Sequence, residues 1–232
     1  MKILPNGIAV LDHDTHISKW VEEHGRLDFD RWMLEIVEKL IKPGDWVVDA
    51  GAYIGDHTLA YARKAGQTGL VIAFEPNPVA YECLCFNMTT LAHKEAIVVD
   101  VQNKGLSNDS GKIPLIQSEN VGASHLELDL GYNEGVEVIA LDDLYLEKLD
   151  FFKMDIEGYE HKALIGAKKT ILKYRPIIFM EINKGALNSN GSSYYDIKEY
   201  MEDVLGYRKL RFLPEITDPG TEPQFDVIFA HP

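Results

Sequence analysis

The chain has 232 residues, enough for one α/β domain with a short appendage. Its 46% hydrophobic content supports a sizeable core and excludes a disordered chain, and no apolar run approaches the roughly 18 residues that would span a bilayer. With 23 basic against 37 acidic residues the net charge is −14, which argues against a partner gripped through phosphates, so no nucleic-acid partner is expected.

The opening MKILPNGIAVLDHDTH lacks the continuous apolar stretch of a signal peptide, so a cytoplasmic location is expected. Apolar residues from Phe29 to Ile41 recur at helical spacing, and Pro43-Gly44 stops that helix. Trp46 to Ala50 reads as a buried first strand, followed by a glycine turn and a helix from Thr58 to Ala65. Leu70 to Phe74 is the second strand, Pro78 to Leu91 the second helix of the repeat, and Ala96 to Val101 the third strand. Cys83 and Cys85 sit at i and i+2 of that helix, point to different faces, and read as reduced thiols rather than a bridge.

Between Asn103 and Leu141 the alternation breaks. Turn signals at Asn108-Asp109-Ser110-Gly111 and Asn133-Glu134-Gly135 separate short extended pieces, a β-rich insertion over about 103–140 that could form part of a substrate pocket. The rhythm then resumes with a helix Leu141 to Leu146, a strand Phe151 to Met154, a helix His161 to Lys173, a strand Ile177 to Ile182 and a helix Tyr194 to Leu205. Two last strands, Arg208 to Leu213 and Phe225 to Ala230, suit an antiparallel hairpin. The expected fold is α/β: a Rossmann-like, seven-stranded, mostly parallel sheet ending in that hairpin, the class I methyltransferase variant of the doubly wound fold. Residues 1–43 form a helical cap segment in this reading, and 44–232 the catalytic domain.

The informative run is Val47-Val48-Asp49-Ala50-Gly51-Ala52-Tyr53-Ile54-Gly55-Asp56-His57-Thr58. A buried strand ends in an acid, and two glycines frame a tight turn into a helix, the place where open α/β sheets bind ligands. A dinucleotide site requires G-x-G-x-x-G, whose middle glycine makes room for a pyrophosphate; here Tyr53 occupies that position. The spacing is D-x-G-x-x-x-G, which suits S-adenosylmethionine, a phosphate-free donor whose ammonium Asp49 could attract. Glu75 ends the second strand, where an acid accepts the ribose hydroxyls. The expected cofactor set is Asp49, Gly51, Ala52, Tyr53, Gly55, His57, Thr58, Glu75, Pro76, Asn77, Asn103 and Asp155.

The fourth strand ends in Asp155-Ile156-Glu157-Gly158, beside the first strand and therefore facing the transferable methyl. Methyl transfer to a hydroxyl needs alignment and removal of a proton, which a carboxylate can do alone or by holding a metal. Asp155, Glu157 and Glu181, which ends the fifth strand, are the candidate bases, although alternation along an extended stretch would make Asp155 and Glu157 diverge. Asp155 and Glu181 are the candidate metal ligands, and their oxygens favour Mg²⁺ or Mn²⁺. His125 and His161 read better as polar-loop residues, with His125 as the reserve base. The Pro-Pro-aromatic signature of amino-methylating DNA enzymes is absent after the fourth strand, and neither cysteine lies where a cytosine-carbon methylase needs its nucleophile.

VVDAGAYIGDHT (47–58), FEPNP (74–78), LDDL (141–144), KMDIEGYEHKALIGA (153–167) and RPIIFMEIN (175–183) together resemble the FkbM family of methyltransferases, over roughly Gly44 to Asn183. The resemblance implies a Rossmann-like fold, S-adenosylmethionine as donor, and a hydroxyl on a sugar, glycan or other small natural product as acceptor. Tyr53 departs from it, standing where the family commonly has Asn. Two readings from other classes stay beside it: an NAD(P)-dependent oxidoreductase on a related fold, and a cofactor-binding protein without turnover.

Overall fold

The computed structural model describes residues 1–116, 125–126, 135–210 and 222–232. Seven strands form one sheet: β1 (Trp46–Ala50), β2 (Leu70–Phe74), β3 (Val99–Gln102), β4 (Phe151–Met154), β5 (Ile177–Asn183), β6 (Arg208–Lys209) and β7 (Gln224–Ala230). Their order is β6-β7-β5-β4-β1-β2-β3, parallel except for β7, which runs antiparallel to both neighbours. The strand order reverses between β1 and β4, the switch point where the sheet opens a crevice at its carboxyl end. This is the expected mostly parallel α/β fold with a C-terminal antiparallel element.

Both faces of the sheet are covered, which is why its strands read as apolar runs rather than alternations. Helices α1 (Ile17–His24), α2 (Arg31–Leu40), α3 (Thr58–Ala65) and α4 (Pro78–Asn87) precede β4; α5 (Glu160–Gly166), α6 (Lys168–Tyr174), α7 (Lys184–Ser189) and α8 (Tyr194–Glu199) follow it. Val47, Val71, Phe151 and Phe179 pack under α2 and α3 with Leu34, Val37 and Tyr61. Val48, Ile72, Phe152 and Met180 face the other way, onto Leu164, Ile171 and Ile197 of α5, α6 and α8. The N-terminal strands Lys2–Ile3 and Ala9–Val10 pair antiparallel, and Ala9 and Val10 join a third cluster with Tyr53, Ile54 and Leu84. The Asn87 side chain bonds Ala9 in both directions and also donates to Ile54 O at 2.8 Å, fastening that hairpin to the turn after β1.

Several boundaries differ from the sequence expectation for local reasons. The helix expected from Phe29 begins at Arg31, because Asp30 is left-handed at φ 50°. The third strand starts at Val99, after a left-handed Ala96. The expected 161–173 helix is two helices broken at Ala167, where Gly166 packs so tightly that a Cβ would lie 2.0 Å from Ser107 O. The 78–91 and 194–205 helices each end in a π-helical turn, Met88–Ala92 and Tyr200–Val204. The expected 141–146 helix is a single 3₁₀ turn, Leu141–Leu144, closed by left-handed Tyr145. Helices α1 and α7 carried too short an apolar period to be read.

In the insertion, Gly105–Leu106, Val136–Ile139 and Gly111–Ile113 form a small mixed sheet, and Leu115–Ile116 pairs with His125–Leu126. The Asn133-Glu134 turn and residues 211–213 of the expected last hairpin lie outside the described residues.

Candidate active site

A cavity of about 740 Å³ opens at the switch point. Its floor is the turn after β1. Gly51 has φ +79°, and a Cβ there would lie 1.8 Å from Asp155 O, so only glycine lets the ends of β1 and β4 touch. The Gly51 and Ala52 amides both donate to Phe74 O at 3.0 Å, drawing the turn toward the end of β2.

There Glu75 is buried, and its two oxygens accept the Tyr53 and Asn77 amides, each at 2.8 Å. Burial pushes its carboxyl up to about 7 against those two amides. Each oxygen keeps a lone pair on a residue that lines the cavity. Asn103 buttresses the strand end, donating to Glu75 O at 2.9 Å and to Pro76 O at 3.3 Å. Asn77 caps α4 by accepting the Val79 amide.

Gly51, Ala52, Tyr53, His57, Glu75, Pro76 and Asp155 of the expected cofactor set line the cavity. Asp49, Gly55, Thr58, Asn77 and Asn103 sit behind that lining. Asp49 is the informative case: its side chain is fully buried, accepts from Thr58 Oγ1 at 2.6 Å and faces Lys153 Nζ at 3.4 Å. It is therefore an internal counter-ion in this structure, not a carboxylate open to a ligand.

The acids at the ends of β4 and β5 converge. Asp155, Glu157 and Glu181 each offer an oxygen within 4.8 Å of the others. The expected divergence of Asp155 and Glu157 does not occur, because Glu157 takes φ +49° and Gly158 φ +98°, turning the chain back on itself. Glu160 holds that reversal: its buried carboxylate accepts the Ile156 amide at 3.0 Å and the Gly158 amide at 3.0 Å. Asn183 Nδ2 donates to Glu157 at 3.2 Å and Gln224 Nε2 to Glu181 at 2.8 Å.

Asp155 and Glu181 are hydrogen-bonded to each other. Burial, with the Asp155 charge second, lifts Glu181 to about 9. Asp155 is pulled below its ordinary value despite burial, because Lys153 and the Glu181 bond favour its ionised form. The pair thus titrates as a unit that shares one proton near neutrality.

Lys153 is the residue that sequence reasoning missed. It is 2% exposed, donates to Gly51 O at 2.9 Å, and lies 3.6 Å from Asp155 as well as 3.4 Å from Asp49. A lysine inside an otherwise apolar strand, Phe151-Phe152-Lys153-Met154, was the available signal. Asp56 was also missed; it is buried, lines the cavity, and lies 3.6 Å from His57 Nε2. The side chain of His125 lies outside the described residues, and His161 packs edge-on against Tyr200, away from the cavity lining.

No helix among the described residues is long and apolar enough to cross a membrane. The profile of the methyltransferase FkbM domain matches residues 49–209. A methyltransferase FkbM from Methylobacillus flagellatus KT superposes with a TM-score of 0.53 at 16% identity, over 85% of this chain and 50% of that one. This chain therefore spans about half the length of that relative. A putative rRNA methylase from Clostridium thermocellum superposes with a TM-score of 0.52 at 15% identity, over 88% of this chain and 95% of that one. At such identities these likenesses speak for the fold. No curated protein sequence matches the chain. With the profile match covering most of the sheet and Asp155, Glu157 and Glu181 at the switch point, the chain belongs to the FkbM family of methyltransferases.

Proposed function

We propose that this protein transfers a methyl group from S-adenosylmethionine to a hydroxyl of a sugar, glycan or other small natural product. The observation that carries the reading is the convergence of Asp155, Glu157 and Glu181 beside the Gly51 turn, within one cavity.

The residues present fit the donor. A glycine floor that admits no Cβ and a buried carboxylate with free lone pairs at the end of β2 suit a ribose, and the acidic lining suits a sulfonium and an ammonium. When bound, the donor supplies an already activated methyl. The chain's own residues then have to orient the acceptor and take its proton. Asp155, kept ionised by Lys153, takes the proton of the acceptor hydroxyl, while Glu181, holding its own proton, donates a hydrogen bond to that oxygen or to Asp155. The same three oxygens are hard donors of the kind Mg²⁺ and Mn²⁺ take, so the clearest division between direct and metal-assisted deprotonation is a chelator.

An RNA acceptor, as the printed name of the Clostridium thermocellum relative would suggest, runs against the net charge of −14 and a cavity with far more carboxylates than cations. A non-catalytic role leaves three converging acids without use, and Tyr53 stands where a nicotinamide dinucleotide needs glycine.

The test is transfer of a labelled methyl from S-adenosylmethionine to a panel of sugars, hydroxylated natural products and structured RNAs. Label is expected on small hydroxyl acceptors. Asp155→Asn should lower the rate by about 10²–10⁴, a loss that falls on kcat more than on donor affinity. EDTA abolishes turnover only in the metal-assisted case. Label on RNA and on no small hydroxyl would overturn the reading.

A further inference from the structure

The segment before residue 49 lies outside the match to the family domain, yet it reaches into the cavity through His16, Ile17 and Phe29. We infer that Asp14 in this segment is a positioning residue for the donor, acting through Tyr53 on the Glu75 carboxylate. The inference rests on the reading of Glu75 as the donor's ribose contact.

The connection is a run of short contacts. Asp14 is 6% exposed, and its Oδ2 accepts the Tyr53 hydroxyl at 2.5 Å. The carboxylate is itself fixed, taking the His16 amide at 3.0 Å and the Ser18 amide at 2.6 Å. Leu4, Ile8 and Leu11 from the same segment belong to the same buried cluster as Tyr53. At its other end Tyr53 donates its amide to Glu75 Oε2 at 2.8 Å.

What makes this more than packing is the Tyr53 backbone. It sits at φ +49°, a left-handed conformation that a bulky residue adopts only when its surroundings force it. Besides the packing of the turn, two hydrogen bonds of its own hold it there: the hydroxyl on Asp14 and the amide on Glu75. Freeing the hydroxyl lets the turn relax toward ordinary φ, which swings the amide away from Glu75. That carboxylate then loses one of the two donors that aim it and that favour its ionised form against burial.

The test is calorimetric titration with S-adenosylhomocysteine and S-adenosylmethionine. Tyr53→Phe keeps the ring and removes only the hydroxyl, and is the cleanest variant. Asp14→Asn weakens the same bond from the other side, though it also touches the start of α1. Each variant should weaken donor affinity by roughly tenfold, the size of one charge-assisted hydrogen bond. The loss should appear in KM for the donor more than in kcat, and the double variant should be no weaker than the weaker single one, because both cut one link. A folded Tyr53→Phe chain with native donor affinity overturns the inference, as does a double variant whose losses add. Glu75→Ala separates the two levels. If it weakens the donor while Tyr53→Phe does not, only the link from the N-terminal segment is wrong; if it too leaves affinity unchanged, the donor reading of Glu75 falls first.

Discussion

Replacing Lys153 with Met removes the charge at the centre of the site while nearly preserving side-chain volume. The Asp49 carboxylate it faces is fully buried and keeps one other donor, Thr58 Oγ1 at 2.6 Å. Without the ammonium, Asp49 is a dehydrated charge satisfied on one oxygen alone, and breaking a buried pair in this way costs about 3–5 kcal/mol. That is a large share of the ~5–15 kcal/mol that holds a domain folded. In a chain of this size each kcal/mol moves the melting temperature by ~2–4 °C, so a drop of roughly 6–20 °C is expected. Urea titration followed by circular dichroism at neutral pH measures the loss, and thermal melts give the temperature. The double variant Lys153→Met/Asp49→Asn is the control, since a neutral amide no longer needs the cation and part of the loss should return. A Lys153→Met chain that loses less than about 1 kcal/mol, the worth of an exposed pair, would refute the argument. So would a double variant less stable than the single one.

Three further perturbations address the donor side and the acids. Glu75→Ala should cost on the order of 1.5–3 kcal/mol of S-adenosylmethionine affinity by calorimetry, and unchanged affinity in a folded variant removes Glu75 from the donor site. Gly51→Ala places a Cβ 1.8 Å from Asp155 O at φ +79°, so donor binding should disappear and the melting temperature fall; native binding would mean that β1 and β4 do not meet at this turn. The pH dependence of stability follows chiefly from five carboxyls raised by burial: Asp56, Asp226 to about 6, Glu75 and Glu160 to about 7 and Glu181 to about 9. Each keeps its proton in the fold over a range where the unfolded chain has released it, so stability falls as pH rises from near 4.5 toward 9. The lowered Asp155 acts in the opposite sense only below about pH 4, near its ordinary value of 3.8. The melting temperature should be higher at pH 6 than at pH 9, and the reverse order would show that these groups are not buried as described.

The strands and turns that build the switch point were legible because their determinants are local. Trp46–Ala50, Thr58–Ala65, Leu70–Phe74 and Phe151–Met154 have the boundaries that their apolar runs, glycines and flanking polar residues prescribe. The convergence of Asp155 with Glu157 was not legible, because it depends on a left-handed glutamate held by Glu160, a conformation that residue type disfavours. The link from Asp14 to Tyr53 joins residues 39 apart and needs the N-terminal segment already packed on α4.

The role of Asp49 turned on register. On its own, an acid at the end of a first strand invites a ligand's ammonium. In the sheet, β4 lies beside β1 with Lys153 level with Asp49, so the cation that Asp49 attracts is supplied by its neighbouring strand. The same geometry sets Asp226 level with Glu181 across the antiparallel pair of β5 and β7, placing a second carboxyl against one that already shares a proton with Asp155. Charges at strand ends thus acquire their function from the residue opposite them. In this chain that pairing divides the acids: Asp49 is taken up by Lys153 inside the sheet, and Asp155, within reach of the same lysine, is left lining the cavity, which is the placement that the proposed role of Asp155 as the base requires.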